Sequence, residues 1–282
     1  MELTAEIPLE KPSVIIKPTK GLFQLDLENI WKYRELLYFL VWKDVLIRYK
    51  QTVIGVCWAV LQPLITMIIF TVIFGRLVHI PSDGVPYPVF AFAALLPWNY
   101  FSQALSRSGT SLVGNSNLIT KIYFPRLLIP LSSSISPVID LFFSFLILLV
   151  LMPMYGIVPT WGLLLLPVFV LLSLMTALAV GLWLTTLNVK YRDVGHVIPF
   201  LIQIWMYASP VVYPLSVVPE TWRPLYSLNP MVGVIEGFRW AITGSSRPDI
   251  MAIVISFAVV SLLLAGGLIY FKKMEQTFAD II

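Results

Sequence analysis

The 282-residue chain is 58% hydrophobic and only 12% charged, with a formal net charge of +4 and a single cysteine. A soluble domain carries about 25% charged residues, so this composition excludes a soluble enzyme or a nucleic-acid-binding domain. The lone thiol, Cys57, excludes an intramolecular disulfide.

Residues 1–27 hold Pro8, Pro12 and Pro18 among scattered charges and lack the apolar core of a cleavable signal, so they read as a cytoplasmic arm. Residues 28–50 place Glu28, Lys32, Glu35, Lys43 and Lys50 along one helical stripe, with Trp31, Leu37, Leu40, Val41, Trp42 and Val45 on the remaining surface. That pattern predicts an amphipathic helix lying at the headgroup level; a plain stop-transfer flank is the alternative.

Six apolar stretches follow, at about 53–75, 88–105, 127–155, 160–187, 197–213 and 250–271. Each approaches the roughly 20 residues that a helix needs to cross a bilayer. The expected fold is therefore an all-α polytopic membrane protein with six transmembrane helices, forming one domain over 28–282. Pro63 falls near the middle of the first stretch and requires that its helix be packed against protein there. In the third, Ser133, Ser136 and Asp140 share one face, while Ala177, Ala179 and Gly181 in the fourth allow a neighbouring helix to approach closely.

If both termini lie inside, 15 of the 19 Lys and Arg fall in inner segments, and only Arg76, Arg223, Arg239 and Arg247 fall outside. Short cytoplasmic loops accumulate Lys and Arg, so the asymmetry predicts a multi-pass inner-membrane protein with both ends in the cytoplasm. It also accounts for the net charge without a nucleic-acid partner.

Residues 209–249 are too rich in proline for a regular span and too apolar for a solvated loop. Irregular backbone at membrane depth must be buried in protein or line a cavity. The segment is expected to form two short re-entrant helices, about 214–225 and 231–241, broken at Asn229–Pro230. A loop resting on the outer surface is the alternative. Glu236 and Arg239, three residues apart, can pair on one helical face.

No phosphate-binding G-x-x-x-x-G-K-[ST] occurs, so the chain is not expected to hydrolyse ATP through a P-loop. His79 and His196 read as ordinary loop residues, and neither a metal site nor a catalytic residue is assigned. Asp140 is the ionisable residue deepest in a span. It marks either a functional site facing the bundle interior or a structural pair with an arginine such as Arg239.

Taken together, WKYRELLYFLVWKDVLIRYKQTVIGVCWAVLQPL, NLITKIYFPRLLIPL, NVKYRDV, SLNPMVGVIEGFRW and MEQTFADII resemble the membrane subunit of type-2 ABC exporters, in the branch that moves O-antigen and related polysaccharides. The resemblance runs over residues 20–282. It implies a homodimeric permease in the bacterial inner membrane above a separate ATPase dimer that carries the ATP and Mg, with no cofactor on this chain. It also implies an interface helix at 28–50, contributing Glu35 and Lys43, and a coupling helix at 115–125 with Leu118, Lys121, Ile122 and Tyr123. The turn holding Lys190, Arg192 and Asp193 joins this ATPase-facing set. Asn229, Pro230, Glu236 and Arg239 fall in the outer gate. A polymer calls for a continuous channel, and sugar rings stack on aromatics. Trp98, Tyr100, Phe101, Tyr213, Trp222 and Tyr226, with Ser133, Ser136 and Asp140, are thus the expected cargo contacts; an interfacial aromatic belt is the alternative. The expected cargo is a lipid-linked polysaccharide such as O-antigen, with capsule or teichoic acid as alternatives. A membrane-embedded glycosyl- or lipid-transferase would need an acidic or histidine cluster at one membrane face, and a secondary transporter an internal repeat.

Overall fold

The computed structural model describes residues 27–50, 55–244, 249–275 and 277–278. Most of the arm, residues 51–54 with the start of the first span, Arg247 and the last residues of the tail lie outside the described residues. Among those described, the chain is helical throughout, with no strand.

Helices α1 (Leu27–Lys32) and α2 (Arg34–Tyr49) precede α3 (Gly55–Phe70), which continues as a π-helix through Leu77. The Pro63 ring is buried against protein, as a proline inside a membrane helix requires. Helix α4 (Tyr87–Gly114) runs straight into α5 (Ser116–Lys121), separated only by Asn115. The third apolar stretch is two helices, α6 (Leu128–Ile135) and α7 (Val138–Met154). Pro137, which has no N–H to donate, stands at their junction. A 3₁₀ turn at Trp161–Leu165 leads into α8 (Leu166–Lys190). Helix α9 (Val194–Tyr207), α10 (Arg223–Tyr226), α11 (Pro230–Thr243) and α12 (Ile250–Glu275) complete the bundle.

Among the described residues, four helical segments are both long and apolar enough to cross a bilayer: Cys57–Leu77, Leu128–Met154, Trp161–Lys190 and Ile250–Glu275. The two remaining predicted spans differ from expectation. The second is longer than its apolar stretch, because α4 continues to Gly114 through the buried Ser108 and Ser111. The fifth ends early, at Tyr207, where Ser209–Pro210 turns the chain; its 14 residues rise only about 21 Å.

Helix α4 is the hub, touching α3, α6, α7, α8, α9 and α11. Small residues set its distance from α8: a Cβ on Gly181 would lie 2.5 Å from Ser108 Oγ. On another side of α8, a Cβ on Gly267 of α12 would meet Ala179 O at 3.1 Å. The predicted small cluster thus admits two neighbours. Because α4 is about 42 Å long, it separates two ends. Its C-terminus carries α5, and its N-terminus meets α11, where Arg239 lies over the Phe90 ring. A second apolar cluster at the α5 end joins Leu40, Leu112, Ile119, Phe124, Val189 and Phe271, uniting α2 with the ends of four other elements.

Candidate functional site

At the α5 end, Ile119 is buried and anchors α5, whereas Ile122 and Tyr123 are exposed. The backbone turns extended at Ile122, so these two apolar side chains project past the helix. Leu118 is half-buried and Lys121 exposed. Lys43 Nζ donates to Asn115 Oδ1 at 2.9 Å, tying α2 to the α4–α5 junction. Glu35 is exposed on α2, and Lys190, Arg192 and Asp193 are exposed in the turn between α8 and α9. Helix α2 also exposes Tyr38, Phe39, Trp42 and Ile47, so its apolar residues lie outward as well as inward.

Deeper in the bundle, the last turn of α2 reaches Asp140 on α7. Arg48 makes an ion pair with Asp140 Oδ2, and the Tyr49 hydroxyl donates to Oδ1. Arg48 Nη1 also donates to Gln103 Oε1 on α4 at 2.7 Å. One turn further along α4, Arg107 Nη1 faces Ser136 Oγ at 3.5 Å. Asp140 therefore pairs with Arg48 and not with Arg239. Arg239 is held at the opposite end, and the last turn of α2 delivers Arg48 to α7. Neither Arg48 nor Arg107 takes a role from the sequence alone: Arg48 falls in the expected interface helix, and Arg107 falls just past the expected end of the second span; the polar but helix-forming run SQALSRSGTSL is the signal that α4 continues.

At the α11 end, Asn229 is a latch. Its side chain caps α11 by accepting from Met231 N, also accepts from Trp205 Nε1 at 2.8 Å, and donates to Ala208 O and Ser209 Oγ, both at 2.9 Å. Pro230, at the first helical position, loses no hydrogen bond there. Arg239 Nη1 donates to Glu236 Oε1 at 3.1 Å and to Tyr213 O at 3.2 Å, and Nη2 donates to Val211 O at 2.9 Å. Its guanidinium lies 3.7 Å from the Phe90 ring centroid. The break at Asn229–Pro230 falls where predicted. The predicted helix over 214–225 is instead two 3₁₀ turns and α10, because Pro214, Pro219 and Pro224 interrupt hydrogen bonding.

The expected cargo-contact aromatics divide. Trp98, Tyr100 and Phe101 are 3%, 1% and 0% exposed, and Tyr100 donates to Ser134 O at 3.0 Å. They are core residues in this structure, because neighbouring helices cover the N-terminal half of the hub helix, and Ser133 and Ser136 are buried with them. The Tyr213 and Tyr226 hydroxyls bond each other at 2.8 Å, and Trp222 is exposed. Trp222 and Tyr226 line an apolar groove of about 590 Å³ between α9, α10 and α12, together with Trp205, Ile204 and Leu263. Among the described residues, no three His, Cys, Asp or Glu side chains converge as a metal site would require.

The bundle thus carries exposed apolar side chains at one end, the bonded Glu236–Arg239 cluster at the other and the Arg48–Asp140 pair between them. Residues 35–243 match the ABC-2 type transporter family. The O-antigen export system permease protein RfbA of Myxococcus xanthus is 32% identical over 258 residues, covering 90% of this chain and 98% of that protein. Its namesake from Klebsiella pneumoniae is 28% identical over 259 residues, covering 90% and 97%. The polysialic acid transport protein KpsM of Escherichia coli is 22% identical over 210 residues, covering 71% and 78%. The chain belongs to the ABC-2 type transporter family of membrane proteins.

Proposed function

We propose that this chain is the transmembrane subunit of an ATP-driven ABC transporter that exports a lipid-linked polysaccharide, such as O-antigen, across the bacterial inner membrane. It is a permease and not an enzyme; ATP and Mg bind a separate ATPase subunit. The similarity to O-antigen export permeases over nearly the whole chain supports the cargo class. Two copies form the channel, each with six spans once α4 and α9 are counted, and both termini and the α5 end face the cytoplasm. The concentration of 15 of 19 cations in the expected inner segments supports that orientation.

The observation that carries the coupling mechanism is the exposed Ile122–Tyr123 pair on a helix nearly continuous with the hub. An ATPase that seats on this knob moves α5, and α5 moves α4, which packs against α3, α6, α7, α8, α9 and α11. The Lys43–Asn115 bond carries the same motion into α2. At the other end, opening requires release of the Asn229 latch and the Arg239 contacts. The test is reconstitution of the permease with its ATPase in proteoliposomes holding lipid-linked polysaccharide. ATP-dependent transfer of the glycan to the far side is expected. ATP hydrolysis that neither responds to the glycan nor moves it would refute the proposal.

A further inference from the structure

The interior charges near the α5 end do not balance. Asp44 pairs with Lys43 at 3.6 Å, and Asp140 pairs with Arg48 and accepts from Tyr49. Arg107 has no carboxylate within ion-pair distance among the described residues. Its one hydrogen-bond contact is Ser136 Oγ at 3.5 Å, although the charges of Arg48, Asp140 and Asp44 all act on it. A guanidinium offers five donors in a planar fork, so most of the Arg107 donors are unused. Cations inside a membrane bundle are rare and pair with one another's counterions or with a ligand. The position is informative as well: Arg107 lies seven residues, roughly 10 Å, from the end of α4 at Gly114. On the orientation above, that is just beneath the headgroups of the cytoplasmic leaflet, where the phosphate of a lipid-linked glycan starts its passage.

We propose that Arg107, with the Ser136 hydroxyl, is a subsite for the phosphate or diphosphate head of the lipid-linked cargo. Phosphate groups match the guanidinium fork in a bidentate manner. Arg48 stands ready as the second cation: an incoming anion competes with Asp140 for it. Loading would thereby loosen the contact between α2 and α7, giving cargo binding a direct effect on the helix that adjoins the coupling knob. The inference rests on the export reading for its choice of ligand, but the site itself rests only on the unmatched cation.

The test uses the full-length permease in phosphatidylcholine nanodiscs. Farnesyl diphosphate is the probe, farnesol the uncharged control and phosphatidylglycerol the ordinary anionic lipid. Farnesyl diphosphate should bind and raise the unfolding temperature, and farnesol should not. Arg107→Gln should weaken diphosphate binding by about tenfold, the equivalent of one charge-assisted hydrogen bond, and Arg107→Lys should recover part of it. Without ligand, Arg107→Gln should unfold no earlier than the wild type, since no internal partner is stranded. Equal diphosphate binding by wild type and Arg107→Gln would overturn the subsite. So would phosphatidylglycerol binding as tightly and with the same dependence on Arg107, which would make the site one for bulk lipid. If the subsite fails while the reconstituted complex still exports glycan, only this inference falls. If diphosphate binding depends on Arg107 but no glycan is exported, the anion site stands and the export reading falls.

Discussion

Two arginines inside the same bundle have opposite surroundings. Arg239, at the α11 end, is 5% exposed and meets a carboxylate, two carbonyls and an aromatic face. Arg107, toward the α5 end, is half-buried and meets one distant hydroxyl. A buried charge paired with a carboxylate holds its surroundings together, because removing one partner strands the other; of the Arg239 guanidinium nitrogens, only Nε is left without a hydrogen-bond partner. A cation with no ion-pair partner strands no carboxylate when it is removed, and its donors are available to a ligand. The α11 end is thus held by internal bonds, and the α5 end keeps donors open to a ligand, as the proposals above require.

The largest expected effect is at the closed end. Arg239→Gln leaves Glu236 without its cation and should destabilise the permease by about 3–5 kcal/mol, read from thermal unfolding in detergent. The same variant should leak ions through resting transporters in planar bilayers, and the charge swap Glu236→Arg with Arg239→Glu should restore part of the seal. Wild-type stability and conductance in Arg239→Gln would remove the gating role.

Asp140→Asn should follow at about 3 kcal/mol, near the lower end of the same range because Arg48 is partly exposed. The sharper test is the double variant Asp140→Asn with Arg107→Gln. Removing the unmatched cation should recover stability, with a coupling of about 1 kcal/mol or more. Strict additivity would mean that Arg107 does not sense the Asp140 charge.

Asn229→Ala removes a helix cap and the Trp205 and Ser209 contacts together, and should cost about 1–2 kcal/mol. A loss under about 0.3 kcal/mol would show that α9 and α11 are held by packing alone. Smallest of all, Arg223→Gln breaks the 3.7 Å contact with the exposed Glu220 and the partly buried Nε bond to Val218 O at 3.1 Å, and should change stability by less than about 1 kcal/mol.

Much of this contrast could be read from the residues, and the part that could not has a physical cause. Glu236–Arg239 and the Asn229–Pro230 break are local: an i, i+3 pair and a residue before proline act through a few bonds. The Asp140 partner is not local, since Arg48 is 92 positions away and reaches α7 only because α2 packs on α6. Apolar run length also misplaced span ends. It cut α4 short, since serines packed against α8 look like loop residues, and it lengthened α9 past the turn at Ser209–Pro210. The aromatics of LLPWNYF were expected to face cargo because rings suit sugars, yet hub position overrides residue type and buries them.

The central claim is that the α5 end faces the cytoplasm and seats the ATPase. It is tested most directly by a cysteine at Tyr123 in a Cys57→Ser background. In inside-out vesicles holding the ATPase, a short bifunctional reagent should join position 123 to that subunit, and Ile122→Ala in the same chain should weaken the product. A membrane-impermeant thiol reagent applied to intact cells should leave it unlabelled. Labelling of position 123 from the outer face, or no cross-link to the ATPase in a complex active for transport, would contradict the claim.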